Sequence, residues 1–190
     1  HHAQHPLTRA QRCYITELIQ PQRLLDVFQK KKLHYGSVVA NNLLPVWNPV
    51  LRPFGEFSAL PKTITIAGYN YTALRRCAQA ISSVLAEHNC VEMVMYSYRE
   101  LSEKANNGTL DETLILTNIN LDDNRHASAF SNFYCNNVLF HTLGEANASW
   151  LDQQLENLRA STPLEDYLTA LEPIASTLVS EYWIAPMFHH

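Results

Sequence analysis

The sequence predicts an α/β fold, a mixed but mostly parallel sheet flanked by helices, and three observations point there. Short apolar runs rich in β-branched residues occur at Lys62–Tyr69, Cys90–Tyr96 and Thr113–Ile119. The gap between the first two holds Leu74, Cys77, Ala78, Ile81, Val84 and Leu85 at helical spacing, one apolar stripe. A strand, an amphipathic helix and a strand in that order form a crossover that joins parallel neighbours. The third observation is size: 190 residues, 46% apolar and 17% charged, suffice for one ordinary domain core without a disulfide or metal staple.

The elements follow in order. Thr8-Arg9-Ala10-Gln11 is a capping box that opens a helix from Leu7 to Ile19. Pro21 ends it and sits in the first turn of a second helix, Gln22 to Lys32, whose three terminal lysines suit the negative end of the helix dipole. Residues 34–61 carry Pro45, Pro49, Pro53, Pro61, Gly36 and Gly55, which predicts a long irregular connection. Then come the first strand, the helix Thr72 to Glu87 and the second strand. A short helix, Tyr98 to Ala105, ends where Gly108 can adopt a left-handed cap. The third strand is too apolar for an exposed edge. Further helices are expected at His126 to Tyr134 and Ala148 to Arg159, and Thr162-Pro163-Leu164-Glu165 reads as a second capping box. Its helix should kink or restart at Pro173 before Ile174 to Tyr182, and Trp183 to His189 reads as a strand bent by Pro186.

Composition excludes several functions. A net charge of −4 and a pI near 6.1 leave no electrostatic footprint for a phosphate backbone, so no direct nucleic-acid contact is expected of this segment. Five glycines, none in a dinucleotide or Walker arrangement, rule out a phosphate-cradling loop. No apolar run is long enough to span a membrane. Cys13, Cys77, Cys90 and Cys135 are scattered and read as reduced, buried small hydrophobes. Asn-x-Ser/Thr matches at Asn70, Asn107 and Asn147 carry little weight in an asparagine-rich chain. No histidine or cysteine set has zinc spacing, and no nucleophile, base and orienting group can be named together, so neither a metal, a cofactor nor an enzymatic activity is expected.

The richest polar cluster runs from Thr117 to Arg125, just beyond the third strand. In open α/β sheets ligands settle outside the carboxyl ends of strands, and Asn118, Asn120 and Asp122 offer short directional hydrogen-bonding groups there. The same residues also make sense as a turn and helix cap. Trp47, in the irregular connection, is the fourth candidate, with coverage of the core edge as its alternative role.

The serial order of motifs resembles the second lobe of family 5 extracellular solute-binding proteins, the oligopeptide, dipeptide and nickel type. The resemblance rests on the helix Leu7 to Ile19 followed by Pro21-Gln22-Arg23-Leu24-Leu25, on Leu43-Leu44-Pro45-Val46-Trp47, on the strand–helix succession Ile64 to Asn120, and on Ala185-Pro186-Met187-Phe188-His189-His190. Within that superfamily the Leu43–Trp47 loop and the His189-His190 ending are most similar to the C-terminal region of SgrR-type transcriptional regulators. That resemblance implies a periplasmic-binding-protein-like (type II) lobe spanning residues 1–190. It further implies a cytoplasmic, non-catalytic sensor of a small polar effector, such as a sugar or sugar phosphate, in a longer chain. A first lobe and a winged-helix domain of that chain would be its partners. The beginning His1-His2-Ala3-Gln4-His5, without Met, is read as that of an excised fragment, so no targeting segment is judged. The alternative is a lobe of a periplasmic peptide or nickel transporter component. The family's Gly-Trp and Asp-Pro pairs are replaced here by Asn118-Ile119-Asn120 and Asp122-Asp123, so its peptide-clamping residues are not carried over; by position, Asp122 or Asp123 stands for the ligand-facing aspartate.

Overall fold

The computed structural model describes residues 7–30, 38–40, 42–44, 46–50, 57–118 and 126–189. Helix α1 (Arg9–Leu18) begins at the expected capping box: the Gln11 N–H donates to Thr8 Oγ1 at 3.1 Å and the Thr8 N–H to Gln11 Oε1 at 2.9 Å. Pro21 takes the first position of α2 (Pro21–Lys30), where its missing N–H costs nothing. A two-residue strand β1 (Val38–Val39) lies inside the irregular connection and pairs antiparallel with β5 (Phe188–His189) at the far end of the chain.

The centre is β2 (Thr63–Tyr69), α3 (Thr72–Leu85), β3 (Cys90–Tyr96), α4 (Tyr98–Asn106) and β4 (Leu114–Leu116). The three strands form one parallel sheet in the order β3-β2-β4, with Thr63 opposite Cys90, Tyr69 opposite Tyr96 and Gly68 opposite Leu116. Successive β2 residues point to opposite faces, and both faces are covered. Ile64 and Ile66 pack with Cys77, Ala78, Ile81 and Leu85 of α3 and with Leu24 and Phe28 of α2, whereas Ala67 packs with Leu101 and Ala105 of α4 and with Leu110. Helices α3 and α4 therefore lie on opposite sides of the sheet.

A second, helical core joins α5 (His126–Tyr134), α6 (Asn137–Ser161) and α7 (Tyr167–Ser180) around Phe133, Leu151, Leu155, Leu171 and Leu178. It is tied to the sheet layer by Asn137, whose Nδ2 donates to Ser102 O at 3.0 Å and Oγ at 2.9 Å, and by His141, whose Nε2 lies 2.7 Å from Leu110 O. At the other end Arg12, only 8% exposed, donates from its two terminal nitrogens to Leu7 O (3.3 Å) and Glu181 O (3.2 Å), with its guanidinium 3.6 Å from the Trp183 ring centre. Its Nε has no partner. Burial, and next the neighbouring Arg9, lower the pKa of Arg12, while Glu181 opposes the shift.

Several expectations are corrected. The third strand lies at one end of the three-stranded sheet; its apolar residues are shielded by helices, with Leu114 and Leu116 against one core and Ile115 against the other. Helix α6 begins eleven residues before Ala148, capped by Asn136, and is interrupted only at Gly144, which takes φ 77° and ψ 173°. Because α6 runs to Ser161, Thr162 closes it, and the second capping box gives way to a 3-10 turn, Leu164–Asp166. Helix α7 passes through Pro173 without a break: Pro173 faces solvent while Leu171, Ile174, Ala175 and Leu178 are buried, and that burial outweighs the lost bond of roughly 3 kcal/mol. Of the four free thiols only Cys77 is buried; Cys13 is partly buried, and Cys90 and Cys135 are exposed. Only Phe188 and His189 of the expected last strand pair. The expected cap at Gly108 forms, with φ 70°.

Gly68 lets β4 approach β2 closely. A Cβ there would lie 3.0 Å from Leu116 O and 3.1 Å from Met95 Cε, and the backbone oxygen has nowhere to move. Gly68→Ala is therefore expected to destabilise the fold by roughly 1–3 kcal/mol, measured as a lower midpoint of urea unfolding at unchanged slope.

Candidate ligand-binding rim

The connections leaving β2 and β3 turn to opposite faces of the sheet, since α3 and α4 cover opposite faces, and in open parallel sheets ligands settle at the carboxyl ends of the strands. Both strands end in the same three-residue pattern, Tyr69-Asn70-Tyr71 and Tyr96-Ser97-Tyr98. The exit from β2 is held in place: the Asn70 N–H donates to Tyr96 O at 2.6 Å and the Tyr71 N–H to Tyr69 O at 2.9 Å.

Tyr69 is the hub. Its ring stacks on Tyr71, with centroids 6.2 Å apart, and meets Tyr98 edge-to-face at 5.7 Å. Tyr69 itself is partly buried, while Tyr71 is 50% and Tyr98 72% exposed. Burial raises the Tyr69 pKa, and Asn118 pulls it the other way. Asn118, two residues past β4 and exposed, lies at the same end of the sheet, since Leu116 stands opposite Gly68.

Several charged groups near this rim are engaged. Ser97 Oγ accepts from the Glu100 N–H at 3.1 Å, and Glu100 Oε1 accepts from the Ser97 N–H at 3.3 Å, which closes the start of α4 with its own carboxylate. Arg75 donates to Thr72 Oγ1 at 3.3 Å. Tyr96 is turned to structure: its hydroxyl donates to Glu112 Oε1 at 2.6 Å, and the Lys104 ammonium lies 5.3 Å from its ring centre. Among the described residues no group of three or more His, Cys, Asp or Glu could hold a metal ion.

The structure treats the sequence-derived candidates differently. Asn118 lies at the rim. Asn120 and Asp122, with Asp123, lie outside the described residues. Trp47 is 5% exposed and packs in the helical core, its indole N–H donating to Leu168 O at 3.0 Å. Its loop is organised by buried Asn42, whose amide donates to Asn48 O (2.9 Å) and Ser176 Oγ (3.1 Å) while its Oδ1 accepts from the Leu43 N–H (2.8 Å). The structure thus puts Trp47 where the core-edge alternative has it. Tyr69, Tyr71 and Tyr98 were not singled out by sequence reasoning; the repeated Tyr-x-Tyr at two strand ends is the signal that could have found them.

No protein-family model matches the chain, and no curated protein matches it significantly. Solved structures do. NikA from Brucella suis in complex with Fe(III)-EDTA superposes with a TM-score of 0.67 at 13% identity, over 95% of this chain and 42% of that one. The fold is that of a type II periplasmic-binding-protein lobe. The Escherichia coli murein tripeptide binding protein MppA gives 0.63 at 13% identity, over 96% of this lobe and 39% of that chain. A periplasmic oligopeptide-binding protein from Thermotoga maritima, bound to mannohexaose, gives 0.58 at 15% identity, over 96% and 41%. This lobe therefore spans about two fifths of the length of these neighbours, two of which are described as binding proteins.

Two predictions follow from this geometry. Trp47→Phe removes the indole N–H bond and some buried volume, and is expected to cost roughly 1–3 kcal/mol in chemical denaturation. The Glu112 carboxylate, which best accepts from a neutral phenol, is the main cause raising the Tyr96 pKa from the ordinary 10.0 to about 12. The stabilisation from this pair is fully present below pH 10.0 and is lost as pH rises through about 12. Ultraviolet titration should show late ionisation of Tyr96, and Glu112→Gln should make that ionisation earlier.

Proposed function

We propose that this chain is a non-catalytic ligand-binding lobe that closes, with a second lobe, on a small polar solute, in a binding protein of the peptide and nickel transporter type. The observation that carries the reading is the solvent-facing tyrosine rim at the carboxyl ends of β2 and β3. Exposed rings at 50% and 72% do little for a core and are available to a ligand. The fold likeness supports the same reading: proteins of this architecture are described with a murein tripeptide, with Fe(III)-EDTA and with mannohexaose. A lone lobe offers half a site, so tight binding is expected only when the opposite lobe is present.

A second reading keeps the lobe and changes its setting. The Leu43–Trp47 loop and the Pro186–His190 ending favour a cytoplasmic SgrR-type regulator, in which closure would bias an attached winged-helix domain. A winged helix upstream supports that setting; a signal peptide or lipobox supports the transporter component.

The test is a ligand array on the full-length protein, with trialanine, mannohexaose, glucose 6-phosphate and nickel chloride. At ligand about a hundredfold above Kd, one of them is expected to add about 2.7 kcal/mol of stability, seen as a raised Tm, and to reduce the radius of gyration in small-angle scattering. No shift and no compaction with any probe would remove the binding-lobe reading.

A further inference from the structure

We infer that the rim made by Tyr69, Tyr71, Tyr98 and Asn118 receives the ring of a neutral saccharide rather than a charged solute; this rests on the binding-lobe reading and names its ligand class. A pyranose presents an apolar C–H face and a girdle of hydroxyls. It is matched by a surface that combines exposed aromatic rings with hydroxyl and amide groups. The rim has that composition. Tyr71 and Tyr98 both contact the Tyr69 ring, both are exposed, and their rings are braced by Tyr69 instead of hanging free in solvent. Bracing lowers the rotamer entropy that a stacked ligand would otherwise cost. Asn118 supplies an exposed amide beyond the same end of β4.

At α4 the electrostatics argue against an anion. The start of α4, the nearest set of helix-end N–H groups to Tyr98, is already closed by Ser97 and by the Glu100 carboxylate, which would repel a phosphate. Of the charges within four residues of Tyr71 or Tyr98, Arg75 donates to Thr72, Arg99 pairs with Glu103, and Glu100 closes α4. The termini of a short peptide would find no unengaged countercharge among the described rim residues, and the described residues hold no cluster for a cation.

The experiment is calorimetric titration of the full-length protein with mannohexaose, maltohexaose, glucose 6-phosphate, trialanine and nickel chloride, at low and high salt. A hexasaccharide is expected to bind with an affinity that changes less than about twofold with salt, because no ion pair is involved. Tyr71→Ala and Tyr98→Ala are expected to weaken it about 3- to 10-fold each. Tyr71→Phe and Tyr98→Phe should retain most of the affinity, since the ring is kept; as surface substitutions they leave the fold intact, which the unfolding midpoint checks. Saccharides failing while trialanine, nickel or glucose 6-phosphate binds would overturn the ligand class and leave the binding lobe standing. Saccharide binding that ignores both alanine variants would overturn the site. No binding by any probe would end both the class and the reading beneath it.

Discussion

Everything in this lobe is arranged around one strand that has no free side. β2 is flanked by β3 and β4 through backbone hydrogen bonds and is covered above and below by helices, so its alternate side chains must serve two different cores. Ile64 and Ile66 answer to α3, Ala67 to α4. Parallel neighbours are joined by crossovers, and because these crossovers use both faces, the chain after β2 and the chain after β3 turn to opposite sides of the sheet. The rim is a consequence of the sheet's connectivity before it is a matter of which side chains occupy it.

The side chains then decide what the opening can hold. Charge near the rim is spent on local order: Glu100 closes a helix, Arg75 reaches a threonine hydroxyl, and Glu112 holds Tyr96. The rings of Tyr71 and Tyr98 are left facing solvent. Elsewhere the lobe uses charge for assembly, as in the guanidinium of Arg12 wedged between two carbonyls and the Trp183 ring, which joins the first helix to the residues after the last. A buried cation with one unpaired nitrogen is a costly fastener, and its cost is offset only while both carbonyls and the ring stay in place. That ties the ends of the chain to each other, as does the short antiparallel pairing of Val38–Val39 with Phe188–His189.

Local signals in the sequence located most elements. The Thr8 capping box, the stripe from Leu74 to Leu85, the strand Cys90–Tyr96 and the Gly108 cap all stand where their residues put them, because each depends on groups only a few positions apart. The failures share a cause. Thr162-Pro163-Leu164-Glu165 has the letters of a capping box but sits against the end of a helix that packing prolongs, and Pro173 is tolerated because the opposite face of α7 is buried. In both places tertiary burial outweighed a preference worth at most a few kcal/mol.

The sequence by itself determined the class of the fold, the succession of strands and helices, and the absence of phosphate loops and of zinc-spaced ligands, since these follow from periodicity, composition and spacing along the chain. Only the tertiary structure decided that β2 is the central strand, that Trp47 fills a core, and that Tyr69 and Tyr96 stand opposite each other so that two distant Tyr-x-Tyr segments share one rim. The physical reason is range: caps and stripes are settled by neighbours within a turn or two, whereas strand order and the meeting of side chains 27 positions apart depend on which apolar faces bury one another.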